Sequence, residues 1–363
     1  MPQPRIAACL LALLLACDDD EVSISDAGGG DAALATEERP SSLDVLFVVD
    51  NSLSMGTHQQ RLGAAIPGFI ERLSQRAQSL RVGVATTNVG GLQAVPDNAS
   101  DLVRSCLGAG DDGRLQTSLV AARDGVEVIC RDSFCAMPST VLLPPDPACT
   151  LGAQPAYQQF TPTSTDARAL QCVARVGVQG CPFEQPLEAA LKALASADFL
   201  RADAALAVIV LTDEDDCSVT AAGRELFSLA ADAETKLGPI NLRCGKATEQ
   251  ADLLKPVDGY LNALRALKPG HPERVVFTAI AGVPANALAL APDAVLALPE
   301  MQFREDPQNL TFPKPVCEQA VPSIRLVRLA RAFGANAVVG SVCGDDVAGA
   351  LGRTADKLVP LLK

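Results

Sequence analysis

Val45 to Met55 reads VLFVVDNSLSM. An unbroken apolar run ends on a carboxylate, Asp50, and two serines follow at alternate positions, Ser52 and Ser54. A strand with one wet face would alternate apolar and polar residues. A run without alternation reads as a strand buried on both faces, and such strands belong to parallel sheets with helices on either side. More of the same kind should then recur along the chain. Asp44 to Val49, Leu80 to Thr86, Ala205 to Thr212, Val275 to Ala281 and Ala337 to Val342 are such runs.

Helical patterns lie between them. Leu62, Ile66, Phe69, Ile70 and Leu73 share one helical face, and so do Leu187, Ala190, Leu191 and Leu194. Ile324, Val327 and Phe333 mark another helix, which Gly334 is placed to end. Val347, Leu351, Ala355, Leu358 and Leu362 mark the last. Pro67 falls inside the first pattern and predicts a kink or a split there. Alternating strands and helices predict an α/β fold, a doubly wound, mostly parallel sheet with helices on both faces. Three long segments break the alternation, near 88–166, 236–273 and 283–322. Loops of that length are costly unless stapled or functional, so they read as disulfide-stapled insertions. At least two of them should crowd the carboxyl end of the sheet, where open α/β sheets bind ligands.

The composition narrows the compartment and the chemistry. The chain has 363 residues and a formal net charge of −13, with no basic face to suit a nucleic acid. Ile6 to Ala16 is an apolar run of signal-peptide length. It leads into Leu14-Leu15-Ala16-Cys17, which resembles a bacterial lipobox, in which the cysteine is acylated and becomes the new N-terminus. That resemblance implies a lipoprotein signal over 1–17 and a chain anchored to a membrane of the bacterial cell envelope, inner or outer undetermined. Residues 18–42, acidic and small with Gly28, Gly29 and Gly30, read as a flexible tether ahead of a folded part at 43–363.

Cysteine parity agrees. Of the 12 cysteines, Cys9 leaves with the signal and Cys17 takes the lipid. Cys106, Cys130, Cys135, Cys149, Cys172, Cys181, Cys217, Cys244, Cys317 and Cys343 remain, an even set that reads as disulfides in an exported, oxidising setting. The plainer reading, a secretory signal with Cys17 a spare thiol, leaves an odd one over. Cys244 is the natural sequence neighbour for Cys217, although spacing alone does not give connectivity. No Cys-x-x-Cys pair occurs and there are only 2 histidines, which argues against zinc.

Asp50, Ser52 and Ser54, a carboxylate and two hydroxyls in a strand-to-helix turn, can converge on one point. Hard oxygen ligands of this kind suit Mg2+, Mn2+ or Ca2+. The competing role is a cap on the first helix. LDVLFVVDNSLSM resembles the opening of a von Willebrand factor type A domain, whose metal-ion-dependent adhesion site uses an Asp-x-Ser-x-Ser loop after the first strand. AVIVLTDEDDC, Ala207 to Cys217, fits a second part of that pattern, the Thr-Asp that ends the fourth strand and whose aspartate, here Asp213, completes the ligand shell. In the loop GVQGCPFEQPL, Gly177 to Leu187, Cys181 stands where the family has a threonine. Two accounts follow: Glu184 supplies an oxygen instead, or the site holds metal weakly and Cys181 serves a disulfide. Glu214 to Asp216 read as a solvated acidic loop.

The resemblance implies a Rossmann-like fold and a non-enzymatic binding or adhesion module. A divalent cation would bridge it to an acidic side chain of a protein partner. Two other functions stand beside it: a structural envelope scaffold with a degenerate metal site, and a metal-assisted hydrolase. The last lacks a base in context. No Gly-x-Ser-x-Gly elbow or phosphate loop occurs. His58 reads as an exposed helix residue and His271 as part of a turn.

Overall fold

The computed structural model describes residues 39–95, 101–117, 127–130, 139–142, 149, 153–195, 198–230, 232–318 and 320–363. Cys17, the signal segment, most of the tether and Cys135 lie outside the described residues, and Cys130 is described only as part of a strand. The strands are β1 (Ser42–Val49), β2 (Ser79–Thr86), β3 (Glu127–Cys130), β4 (Ser139–Leu142), β5 (Tyr157–Phe160), β6 (Ala205–Leu211), β7 (Val275–Ala281), β8 (Glu305–Asp306), β9 (Asn309–Pro313) and β10 (Ala337–Ser341). The helices are α1 (Gly56–Ser74), α2 (Asp101–Arg104), α3 (Arg168–Val173), α4 (Pro186–Leu194), α5 (Ala233–Leu237), α6 (Ile240–Lys246), α7 (Val257–Ala266), α8 (Pro292–Leu296), α9 (Ile324–Phe333) and α10 (Val347–Leu358).

The main sheet is mostly parallel, six strands in the order β10-β7-β6-β1-β2-β5, with β5 alone running antiparallel, against β2. The unbroken apolar runs explain it. Val45, Phe47 and Val49 of β1 point to one face, where they pack with Leu62, Ile66 and Ile70 of α1 and Leu351 and Leu358 of α10. Leu46 and Val48 point to the other, with Leu187 of α4, Tyr260 and Leu264 of α7, and Leu326 and Leu329 of α9. Each fully buried side chain of this kind is worth roughly 1.5–3 kcal/mol, so a polar residue on either face needs a partner, as Asp44 of β1 has in Arg201 and Thr278 of β7 in Thr354. The chain starts in the middle with β1, adds β2 on one side and returns to place β6 on the other. The strand order therefore reverses at β1, and the carboxyl ends of the strands at such a reversal are where open α/β sheets bind ligands.

Four expectations need correction. First, α1 is continuous through Pro67. Proline at that position leaves the carbonyl of Gly63 without its helical donor, and the side chain of Gln171 supplies one at 2.9 Å. The ring itself faces solvent. Second, the segment 236–273 is more than an insertion: it contains α7, a layer helix whose Tyr260 and Leu264 are in the core. Third, the fold begins ahead of Leu43, since the Ser41 carbonyl accepts from Gln78 and the Pro40 carbonyl from Lys363. Fourth, His58 is 7% exposed. It lies in the first turn of α1 facing inward, and burial lowers its pKa.

Four disulfides are formed among the described residues: Cys106–Cys181, Cys149–Cys172, Cys217–Cys244 and Cys317–Cys343. Such a set belongs to an oxidising, exported environment. Among the described residues no helix is long and apolar enough to cross a membrane.

Candidate metal centre

Three neighbouring strands deliver polar residues to the same level. β1 pairs Val49 with Thr86 of β2 and with Leu211 of β6. The next residues on, Asp50, Thr87 and Thr212, therefore stand side by side at the carboxyl end of the sheet. Asp50 still belongs to the ladder, its N–H donating to the Leu211 carbonyl at 2.9 Å. Its carboxylate is fully buried. One oxygen accepts the Ser52 N–H at 2.7 Å and the other the Thr212 hydroxyl at 2.6 Å. The first bond closes a tight turn that sends the chain across the sheet edge, and Gln59 of α1 ties that turn down by donating to the carbonyls of Asp50 and Gly177, both at 2.8 Å.

The helix-cap role for this turn does not hold. The residue that caps α1 is Met55, and neither it nor Ser52 ahead of the preceding 3-10 turn makes a side-chain cap bond. The Ser52 and Ser54 hydroxyls instead lie 3.4 Å from one another. Ser54 also acts on Asp213, which follows β6 by way of Thr212, favouring its charged form against burial.

The loop between Gly177 and Leu187 brings Glu184 into this group. The Gly180 N–H donates to the Asn51 carbonyl at 2.7 Å, which docks the loop against the Asp50 turn. Cys181 is fully buried in its disulfide with Cys106 and offers no ligand atom. Glu184 is 1% exposed. One of its oxygens accepts the Thr87 hydroxyl. Glu184 and Asp50 are near enough for the charge of Asp50 to raise the Glu184 pKa. Thr87 was not singled out in the sequence, and Thr212 entered only as the first half of the Thr-Asp pair, without a role. The available signal was positional: each is the polar residue that closes an apolar strand next to β1.

The electrostatics are unbalanced. Burial, then the Asp50 charge, raises Asp213 to about 7. Burial raises Asp50 as well. Glu184 is raised well above the usual range by burial, then by Asp50 and Glu214, and Glu214 likewise by burial, then by Asp213 and Asp50. Among the described residues, the groups acting on these four carboxyls are one another and neighbouring hydroxyls and amides, with no lysine or arginine. One oxygen of Glu184 and one of Asp213 are buried with no hydrogen-bond partner. Unpaired buried carboxylate oxygens are expensive, and a bound cation is one of the few groups that relieves them. The donors are oxygens throughout, so the residues fit Mg2+, Mn2+ or Ca2+. Among the described residues no group of three or more His, Cys, Asp or Glu forms a ready-made metal cage. Any site here needs the serine hydroxyls as well.

The rest of the acidic run turns inward, contrary to the solvated loop read from sequence. Asp216 is 2% exposed. It binds the guanidinium of Arg325 at 3.0 Å and accepts the Leu187 N–H at the start of α4, also at 3.0 Å. Asp215 accepts the Arg325 N–H at the start of α9 with both oxygens at 3.0 Å. The run TDEDDC thus divides, with Asp213 facing the site, Glu214 close enough to act on it and the last two aspartates anchoring helices. Nearby, Cys217 pairs with Cys244, as its position suggested. No family model matches the chain, and no curated protein matches it either, so the functional reading rests on the chemistry of this site.

Proposed function

We propose that the chain is a divalent-cation-dependent binding module of von Willebrand factor A type, exported and held by a lipid on Cys17 at a bacterial cell envelope. The observation that carries this is the pair of orphaned, buried carboxylate oxygens on Glu184 and Asp213, gathered beside Asp50, Ser52 and Ser54 at the strand-order reversal. Asp50, Ser52, Ser54, Asp213 and Glu184 would hold the cation. Once bound, the cation supplies an electrophilic position that an acidic side chain of a protein partner can fill. Asp50 keeps its turn through Thr212 and the Ser52 amide, so the hydroxyls need little rearrangement to serve as ligands. Glu184, three residues past the position of the family's neutral threonine, would supply a charged oxygen in its place. That strengthens the hold on the cation and weakens the pull on a partner's carboxylate.

The alternative is an envelope scaffold with an inert site, favoured by the loss of Cys181 to a disulfide. Calorimetric titration of Mg2+, Mn2+ and Ca2+ into the full-length chain separates the two. Binding by the wild type that vanishes in Asp50→Ala and weakens in Glu184→Ala supports the module. A folded wild type that binds none of the three leaves the scaffold. Ester or phosphoester turnover that dies with Asp50→Ala would move the reading to a hydrolase.

A further inference from the structure

We infer that Thr87 is a positioning residue of the cation centre: from the end of β2 its hydroxyl holds one oxygen of Glu184 and leaves the other turned toward the cation. This deepens the proposed reading of the site and rests on it. Thr87 is fully buried. Its backbone is held on both sides, the N–H donating to the Val49 carbonyl at 3.3 Å and the carbonyl accepting from Gln185 at 3.2 Å. A β-branched side chain on so constrained a backbone has few rotamers, so the direction of the hydroxyl is set by the strand. Against a carboxylate the hydroxyl must donate. It donates to Oε2 of Glu184, while Oε1 is the oxygen left buried without a partner.

The loop that carries Glu184 has no hydroxyl of its own to offer, because the position matching the family's threonine is Cys181 and its sulfur is bonded to Cys106. Thr87 restores a hydroxyl from a neighbouring strand, acting on the cation through Glu184 and not by touching it. A packing role alone would be met by valine, which has the same shape. The hydroxyl is needed only if the orientation of Glu184 matters.

The test is calorimetric titration of Mn2+ into the full-length chain, comparing wild type, Asp50→Ala, Thr87→Val, Thr87→Ser, Glu184→Gln and the double variant Thr87→Val with Glu184→Gln. Thr87→Val should weaken Mn2+ binding by about tenfold, as loss of a group that orients a ligand does. Thr87→Ser should stay within about threefold of wild type on the same scale. In the Glu184→Gln background, Thr87→Val should cost nothing further, because the two act as one unit. Thr87→Val binding like wild type would overturn the inference while leaving the proposed site intact. An equal loss with and without Glu184 would overturn it too, since Thr87 would then act structurally. Wild type with no Mn2+ binding would bring down the site reading itself, and Asp50→Ala would be equally silent. If Thr87→Val does not fold, Thr87→Ala carries the same comparison.

Discussion

At the residue scale, the cost of the site falls on the carboxylates that face it. Asp213 is raised from its ordinary 3.8 to about 7, chiefly by burial. A folded-state pKa above the unfolded value means that the folded protein binds the proton more tightly. The stability contributed is complete below the unfolded value and is lost as pH rises through the folded one. The cation-free protein should therefore melt at a lower temperature at about pH 8 than at about pH 5. Added Mg2+ should shrink that difference, because the cation binds the deprotonated carboxylates. Thermal melts at the two pH values with and without Mg2+ check both statements, and a midpoint that climbs with pH in the absence of cation contradicts them. Gly180 gives a second test at this scale. A Cβ there would come within 2.0 Å of the Asn51 side-chain oxygen, in the turn that carries Asp50 and Ser52. Gly180→Ala should destabilise the fold by about 1–3 kcal/mol. It should also weaken cation binding by displacing that turn, as titration would show.

At the element scale, the acidic run after β6 works as a pair of helix anchors. Ser323 precedes α9 but makes no side-chain cap bond, and Asp215 takes over the free N–H groups of Arg325 and Leu326 from another part of the chain. Asp216 does the same for Leu187 of α4 while pairing with Arg325, whose side chain is 4% exposed. The two should differ sharply on mutation. Asp215→Ala removes a cap, at about 1 kcal/mol. Asp216→Ala leaves a buried guanidinium without its partner, at about 3–5 kcal/mol. Urea unfolding of the two variants measures the contrast, and equal losses would mean that Arg325 finds another anion. α1 shows the same kind of long-range repair, since the carbonyl freed by Pro67 is bonded by Gln171 of α3.

At the scale of the whole molecule, three of the disulfides join a long segment to a loop at the carboxyl end of the sheet. Cys106 holds the loop of Glu184 through Cys181, Cys244 holds the end of the acidic run through Cys217, and Cys317 holds the end of β10 through Cys343. Around the first two, Leu92, Phe183, Phe227 and Leu254 form a small apolar cluster separate from the two faces of the sheet. Phe183 and Phe227 stack with ring centroids 4.0 Å apart. The rim of the site is therefore a stapled structure and not an open set of loops. Closing chain segments of 27 to 75 residues makes each of these two cross-links worth about 3.5–4.5 kcal/mol. Reduction should lower the melting temperature and the cation affinity together. Replacing the Cys149–Cys172 pair, which packs within the main core beneath α1, should lower stability and leave cation affinity nearly unchanged. Melting and titration on the two samples test this division.

The sequence by itself determined five of the six strands of the main sheet and the chemistry at their ends, while β5 lies inside 88–166, which read as an insertion. Unbroken runs such as VLFVV are legible because a strand buried on both faces admits few polar residues, and most of them fall at its ends, with Thr278 inside β7 kept by its bond to Thr354. Asp50, Ser52 and Ser54 follow β1 directly, and Asp213 lies two residues past β6, so local order was enough to single them out. Only the tertiary structure decided what faces what. Thr87 and Glu184 are 97 residues apart and meet because β2 lies beside β1. Glu214, Asp215 and Asp216 looked alike as neighbours in sequence, yet Asp215 and Asp216 turn to helices that begin far away in the chain. His58 looked exposed, because a helical position does not reveal which side the sheet will cover. Sequence order carries the period of burial and the chemistry of a turn. Partners across a hundred residues are chosen by which strands lie side by side, and that is a property of the whole sheet.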